Sequence, residues 1–156
     1  MKLVIYGILI AAAMLVPTRP LELGKLKPVE VIKIDVQGEM IRIETDTGDT
    51  GSAATLKSAL QDLKATAPGI IYLDTAEYML LPKGKEALLA QVRPYLKDSV
   101  QICCWEGEID MKEVAAFLNA HSPENELKQY QKGMPIKTLV AENRRLKFEE
   151  KNIEIR

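Results

Sequence analysis

The stretch "IETDTGDTGSAATL", residues 43–56, decides how the chain is read. Before it, apolar residues alternate with polar ones. Val29, Val31, Ile34, Val36, Ile41 and Ile43 carry the apolar side, and Gln37-Gly38-Glu39 interrupts them as a turn would. Such alternation predicts a β-hairpin over residues 29–45 with one buried face. After it the period changes. Leu56, Leu60 and Leu63, with Ala59 and Ala67 beside them, recur at helical spacing, while Lys57, Gln61, Asp62 and Lys64 fall on other faces. Thr50 or Ser52 is expected to cap this helix, and Pro68-Gly69 to end it.

The same stretch spells Asp-Thr-Gly twice, at Asp46-Thr47-Gly48 and at Asp49-Thr50-Gly51, the second followed by Ser52. Aspartic proteases carry their catalytic carboxylate in this wording. Their chemistry needs an Asp at the end of a buried apolar strand, so that two carboxylates share one proton in a dry cleft. Here Glu44-Thr45 precedes the first triplet and Thr47-Gly48 the second, and neither is an aliphatic run. Three residues of separation also prevent the two from forming opposite sides of one dyad. A strand-to-helix turn rich in Thr, Asp, Gly and Ser is ordinary turn chemistry. A small hydrolase using Asp46 or Asp49 stands as the alternative.

Farther along, Ile70 to Leu73 predicts a short buried strand, and residues 76–81 are ambiguous. Pro82-Lys83-Gly84 breaks the chain. A helix is expected over Glu86 to Leu96, with Pro94 as an irregularity, then a strand over Val100 to Trp105 and a helix over Met111 to Asn119. Ser122-Pro123 looks like the cap and first turn of a helix running through Gln131. Strands alternating with helices point to a mixed α/β fold: an N-terminal β-hairpin, then α-β-α-β-α, with helices packed on a mixed sheet. Residues 136–156 form a helical or extended tail, whose basic cluster Arg144-Arg145-Leu146-Lys147 reads as a solvated helix face.

Residues 3–16, LVIYGILIAAAMLV, form an unbroken apolar run behind Lys2 and before Pro17. It is shorter than the roughly 20 residues that cross a bilayer comfortably. It fits the apolar region of a secretory leader or a short anchor, so residues 1–18 are set apart from a domain over 19–135. The chain is then expected outside the cytoplasm, associated with the membrane through that segment.

Charge and composition exclude several classes. The formal net charge of the 156 residues is -1, and aromatics make up 5%, so neither a basic stripe nor a stacking surface for nucleic acid is present. His121 is the one histidine of the sequence, and it has no Cys or His partner at ligand spacing, so no metal or other cofactor is expected. It reads as a residue near a helix end. Cys103 and Cys104 are adjacent, which puts their side chains on opposite faces of a strand. They read as one core thiol and one on the other face, with a cytosolic α/β protein carrying a Cys103-Cys104 thiol switch as a further alternative. Glycines 48 and 51 lack the Lys-Ser/Thr ending of a phosphate loop. Asp74 and Glu77 follow a strand and read as a solvated turn. No catalytic, cofactor-binding or metal-binding residue is assigned.

The order of elements resembles the amino-terminal domain of the Ger(x)C family, lipoprotein subunits of spore germinant receptors. "RPLELGKLKPVEVIKID" (19–35) is similar to its connecting segment and first strand, and "TGSAATLKSALQDL" (50–63) to its polar loop and first helix. "IIYLDTAEYMLLPKGKEALLAQVRPYLKDSVQICCWEGEIDMKEVAAFL" (70–118) has the shape of the elements that follow. The likeness covers roughly residues 19–130 and is a pattern of elements rather than of invariant residues. Two departures stand out: no lipobox Cys ends the leader, and the family continues for about two further domains. The resemblance implies a single-domain, non-catalytic, membrane-associated relative with a membrane protein as partner.

Overall fold

The computed structural model describes residues 25–142 and 145–149. The expected leader, Arg144 of the basic cluster and the last residues of the tail lie outside the described residues. The alternating stretch forms the expected hairpin, but not with one buried face. Val31 packs in the core of one side of the sheet and Ile34 in that of the other, because β2 lies inside the sheet with helices on both sides. β2 (Val31–Gln37) and β3 (Met40–Thr45) pair antiparallel with Ile34 opposite Ile43 and Val36 opposite Ile41. Gly38 makes the turn at φ +61°, a left-handed conformation that costs glycine least. Ahead of the hairpin lies β1 (Leu26–Pro28).

The polar stretch after the hairpin is more than a turn. Residues Thr50–Ala53 form β4, antiparallel to β3, with Gly51 opposite Ile43. Thr50 and Ser52 therefore do not cap the following helix, α1 (Leu56–Thr66). Thr55 does, its hydroxyl accepting from the Ser58 amide at 3.2 Å. α1 lies so close to β4 that a Cβ on Gly51 would stand 2.3 Å from the Leu63 nitrogen and 2.4 Å from the Ala59 oxygen. The second Asp-Thr-Gly ends in glycine because the helix backbone occupies that space. Gly48, in the first triplet, answers a different need, since it sits at φ +84°.

β5 (Ile70–Tyr72) is not the buried strand expected. It pairs in parallel with β1 in a separate two-stranded sheet, and only Ile71 points inward. The ambiguous residues supply the centre of the fold instead. β6 (Tyr78–Pro82) lies between β2 and β7 (Gln101–Glu106), parallel to both. Tyr78, Met79, Leu80 and Leu81 are all buried. A strand covered on both faces has no alternation to display, which is why its pattern was mute.

The helix expected over 86–96 is broken into a 3₁₀ turn at Glu86–Leu88, one α-turn, α2 (Leu89–Val92), and a second 3₁₀ turn at Arg93–Tyr95. Pro94 cannot donate to an α-helical ladder. α3 (Met111–Ala120) matches its expectation and is capped by Asp110, which accepts from the Lys112 amide at 2.8 Å. The helix expected over 122–131 does not form. Glu124 adopts φ +67°, Glu126 bridges to Gln101, and a 3₁₀ turn over Leu127–Gln129 is the helical content there. Ile102 donates to Asn125 and Leu127 donates to Val100, each at 2.7 Å, so this backbone is spent on the start of β7 rather than on a helix.

The described part of the tail is extended. β8 (Thr138–Glu142) runs parallel to β7, and β9 (Arg145–Glu149) returns antiparallel to β8. Arg145 and Lys147 thus stand on a strand, not on a helix face. The main sheet has the order β4-β3-β2-β6-β7-β8-β9. Its faces are covered separately. On the first, α1 and α2 pack Leu60, Leu63, Leu89 and Val92 over Ile32, Ile43, Met79, Leu81 and Ile102. On the second, α3 packs Met111, Val114 and Leu118 over Val31, Leu80, Cys103 and Leu139. The fold is mixed α/β with helices packed on a mixed seven-stranded sheet, as its sequence indicates.

Gly51→Ala is expected to lower stability by about 1–3 kcal/mol, the ordinary cost of overpacking. Gly48→Ala should cost less, because its side is open and only the backbone conformation is penalised. Urea unfolding of both variants measures the order; a Gly51→Ala protein as stable as the parent would contradict the close approach.

Candidate functional site

The doubled triplet forms the β3–β4 turn and the start of β4, and both of its carboxylates are hydrogen-bonded. The Thr45 amide donates to the Asp49 carbonyl at 3.0 Å, and the Gly48 amide to the Thr45 carbonyl at 2.9 Å. Thr45 is fully buried, and its hydroxyl accepts from the Asp49 amide at 3.2 Å. One oxygen of Asp46 accepts from the amides of Glu30 and Val31, each at 3.1 Å. Asp49 is 9% exposed; both its oxygens lie 3.1 Å from the Lys27 ammonium, and the Thr47 hydroxyl donates to one of them at 2.8 Å. Asp46 pins the turn to the chain entering β2. Asp49 pins it to β1. The two carboxylates are bonded to separate partners, whereas an aspartic dyad needs them to share a proton.

The first triplet also lines a cleft of about 680 Å³. Glu44 to Gly48 form one wall and Glu108 to Lys112, the loop and first turn leading into α3, form the other. That volume lies in the range of small-molecule and peptide pockets. The lining is mostly polar, with Glu44, Asp46, Glu108 and Asp110 against the single cation Lys112. Beside it the second face of the β2–β3 wing carries Lys33, Asp35, Gln37, Arg42 and Glu44, which line a smaller concavity of about 110 Å³. Lys33 bonds Glu44 at 3.2 Å and sits 4.8 Å above the ring of Trp105, whose indole N–H donates to the Ile34 carbonyl at 3.1 Å. These contacts hold the wing's cation and carboxylate in place next to the cleft.

The other candidates lie apart. Cys103 is fully buried under α3, and burial pushes its thiol above the ordinary range, with neighbouring Cys104 adding to the effect. Cys104 is 2% exposed, its Sγ 3.7 Å from Glu86 Oε1. Both thiols lack the access a redox switch requires. His121 follows the last turn of α3 and stacks on Phe117 with centroids 4.7 Å apart. Asp74 and Glu77 are exposed. Among the described residues no group of three or more His, Cys, Asp or Glu side chains is arranged to hold a metal. Glu108, Ile109 and Lys112 were not singled out by sequence. Their place between a strand end and a helix start is the signal that points to such residues.

Two outcomes follow. Asp46→Ala leaves the Glu30 and Val31 amides without their acceptor and should cost about 1–3 kcal/mol in thermal unfolding. An alkylating thiol reagent at mildly alkaline pH should modify neither cysteine in the native protein and both after denaturation; rapid labelling of the native chain would restore the thiol switch.

No protein-family model matches the chain, and comparison with curated proteins and with solved structures found no match.

Proposed function

We propose that this is a non-catalytic, extracytoplasmic, membrane-associated binding or scaffolding domain, related to the subunits of spore germinant receptors. The observation that supports it most is how the chemically able side chains are used. Asp46 and Asp49 hold a turn, and Cys103 and Cys104 are packed inside the sheet. A general base or a nucleophile has to face a substrate. Asp49 and both thiols are buried, and Asp46, on the cleft wall, commits one oxygen to two backbone amides.

What the molecule offers to a partner is surface. The cleft between the β3–β4 turn and the start of α3 is open, polar and richer in carboxylates than in cations. It suits a cationic segment of a protein partner, which long-range attraction would steer toward it. The resemblance to the Ger(x)C amino-terminal domain makes that partner a polytopic membrane protein. The apolar run at residues 3–16 supplies the membrane association.

Fractionation of an endospore-forming host that expresses the full chain tests this reading. The chain should sediment with membranes, and protease added outside protoplasts should degrade it. Removing residues 1–18 should abolish both export and sedimentation. Recovery of the full chain in the cytoplasm, shielded from protease, would sink the proposal.

A further inference from the structure

The two-stranded sheet carries an apolar face that nothing among the described residues explains as core. Ile70 is 46% exposed and Tyr72 43% exposed, although both are large and apolar. Their parallel partners are Leu26 and Pro28, and paired residues project from the same side of a sheet. Pro28 is exposed and Leu26 half-buried. Ile71, between the two exposed residues, points the other way into the core of the first face. A four-residue apolar face therefore stands outward on a small sheet of its own.

Its position in the chain says what it meets. β1 is the first described strand, and the apolar run of residues 3–16 ends ten residues before Leu26. At about 3.3–3.6 Å per residue, that connection reaches no farther than roughly 35 Å. Four side chains fall far short of the roughly 800 Å² per partner that a stable protein interface buries. A tethered contact has no such requirement, because the anchor supplies the affinity and the effective concentration. Tyr72 also brings the amphipathic ring that collects at the boundary between lipid and water.

We infer that the face formed by Leu26, Pro28, Ile70 and Tyr72 rests on the lipid surface beside the membrane-inserted amino-terminal segment, and so sets the orientation of the domain on the bilayer. This rests on the membrane association proposed above. The occupant is lipid, not a second protein and not the segment 3–16 folded back.

The test uses the full chain reconstituted in phosphatidylcholine vesicles. Ile70→Cys, Tyr72→Cys and Glu113→Cys, the last on the exposed side of α3, are each labelled with an environment-sensitive fluorophore. The two native thiols are buried and should stay unlabelled. Emission from positions 70 and 72 should shift to the blue and fall by roughly half when the lipid chains carry bromine, as for groups at the acyl boundary. Emission from position 113 should not change. If the chain sediments with vesicles but positions 70 and 72 are not quenched, the lipid contact is wrong while membrane association survives. A blue shift without quenching would mean that residues 3–16 cover the face, and this too overturns the inference. Failure to sediment at all would overturn both. The paired change Ile70→Glu with Tyr72→Glu serves as a second variant: it should leave sedimentation intact and abolish quenching of a label at Pro28→Cys. Persistence of that quenching would count against the contact.

Discussion

The close approach of α1 to β4 at Gly51 is the contact on which one half of the fold depends. The helix backbone comes within 2.4 Å of where a side chain would begin, so any other residue would lift the helix from the sheet. At this distance α1 does two things. It lays Leu60 and Leu63 over Ile41 and Ile43, which builds the core of the first face. It also serves the outer edge of β4: Asp62 accepts from the Ser52 amide at 2.8 Å, and the Thr66 hydroxyl donates to the Thr50 carbonyl at 3.1 Å. An edge strand whose polar groups are taken up by a helix no longer offers a template for another chain. The polar sequence of β4 is tolerable for the same reason, since its stability comes from the helix and not from its own side chains.

The β3–β4 turn is the second fixed point. Asp46 ties it to the chain entering β2 and Asp49 to Lys27 of β1, so one loop joins the main sheet to the small one. Carboxylates that accept backbone amides or face an ammonium are held by charge-assisted bonds, which are stronger than neutral ones. The same turn forms a wall of the cleft, and a wall held this firmly presents a preformed surface. On the second face α3 sets the opposite wall, with Val114 and Leu118 fully buried and Met111 7% exposed beneath it. Both walls are therefore extensions of well-packed elements.

The candidate site was half legible. Asp46 stands in a protease-like motif, but its part in the cleft comes from the turn it builds. The opposite wall, Glu108 to Lys112, has no motif at all. Residues between a strand end and a helix start can be ranked by type, but which loop faces which turn depends on how α3 crosses the sheet. The thiols went the other way. Adjacent cysteines on a strand must point to opposite faces, so their separation was readable from spacing, while their burial needed the helices on both sides.

By itself the sequence determined the alternating hairpin, the amphipathic α1 and α3, and hence a mixed α/β fold, because period 2 and period 3.6 are local properties of a half-buried strand or helix. It also contains neither a phosphate-loop motif nor a long basic stripe. Tertiary structure alone decided the rest. β6 became the central strand because burial on both faces erases alternation. β4 became a strand because a helix lay against its one glycine. Residues 122–131 stayed irregular because their amides and carbonyls were claimed by β7, and the tail became a hairpin because β7 had an open edge to extend. In each case the deciding partner is a separate element, the next helix for β4 and strands farther along the chain for the others, and no local pattern carries information about a packing that only folding brings about.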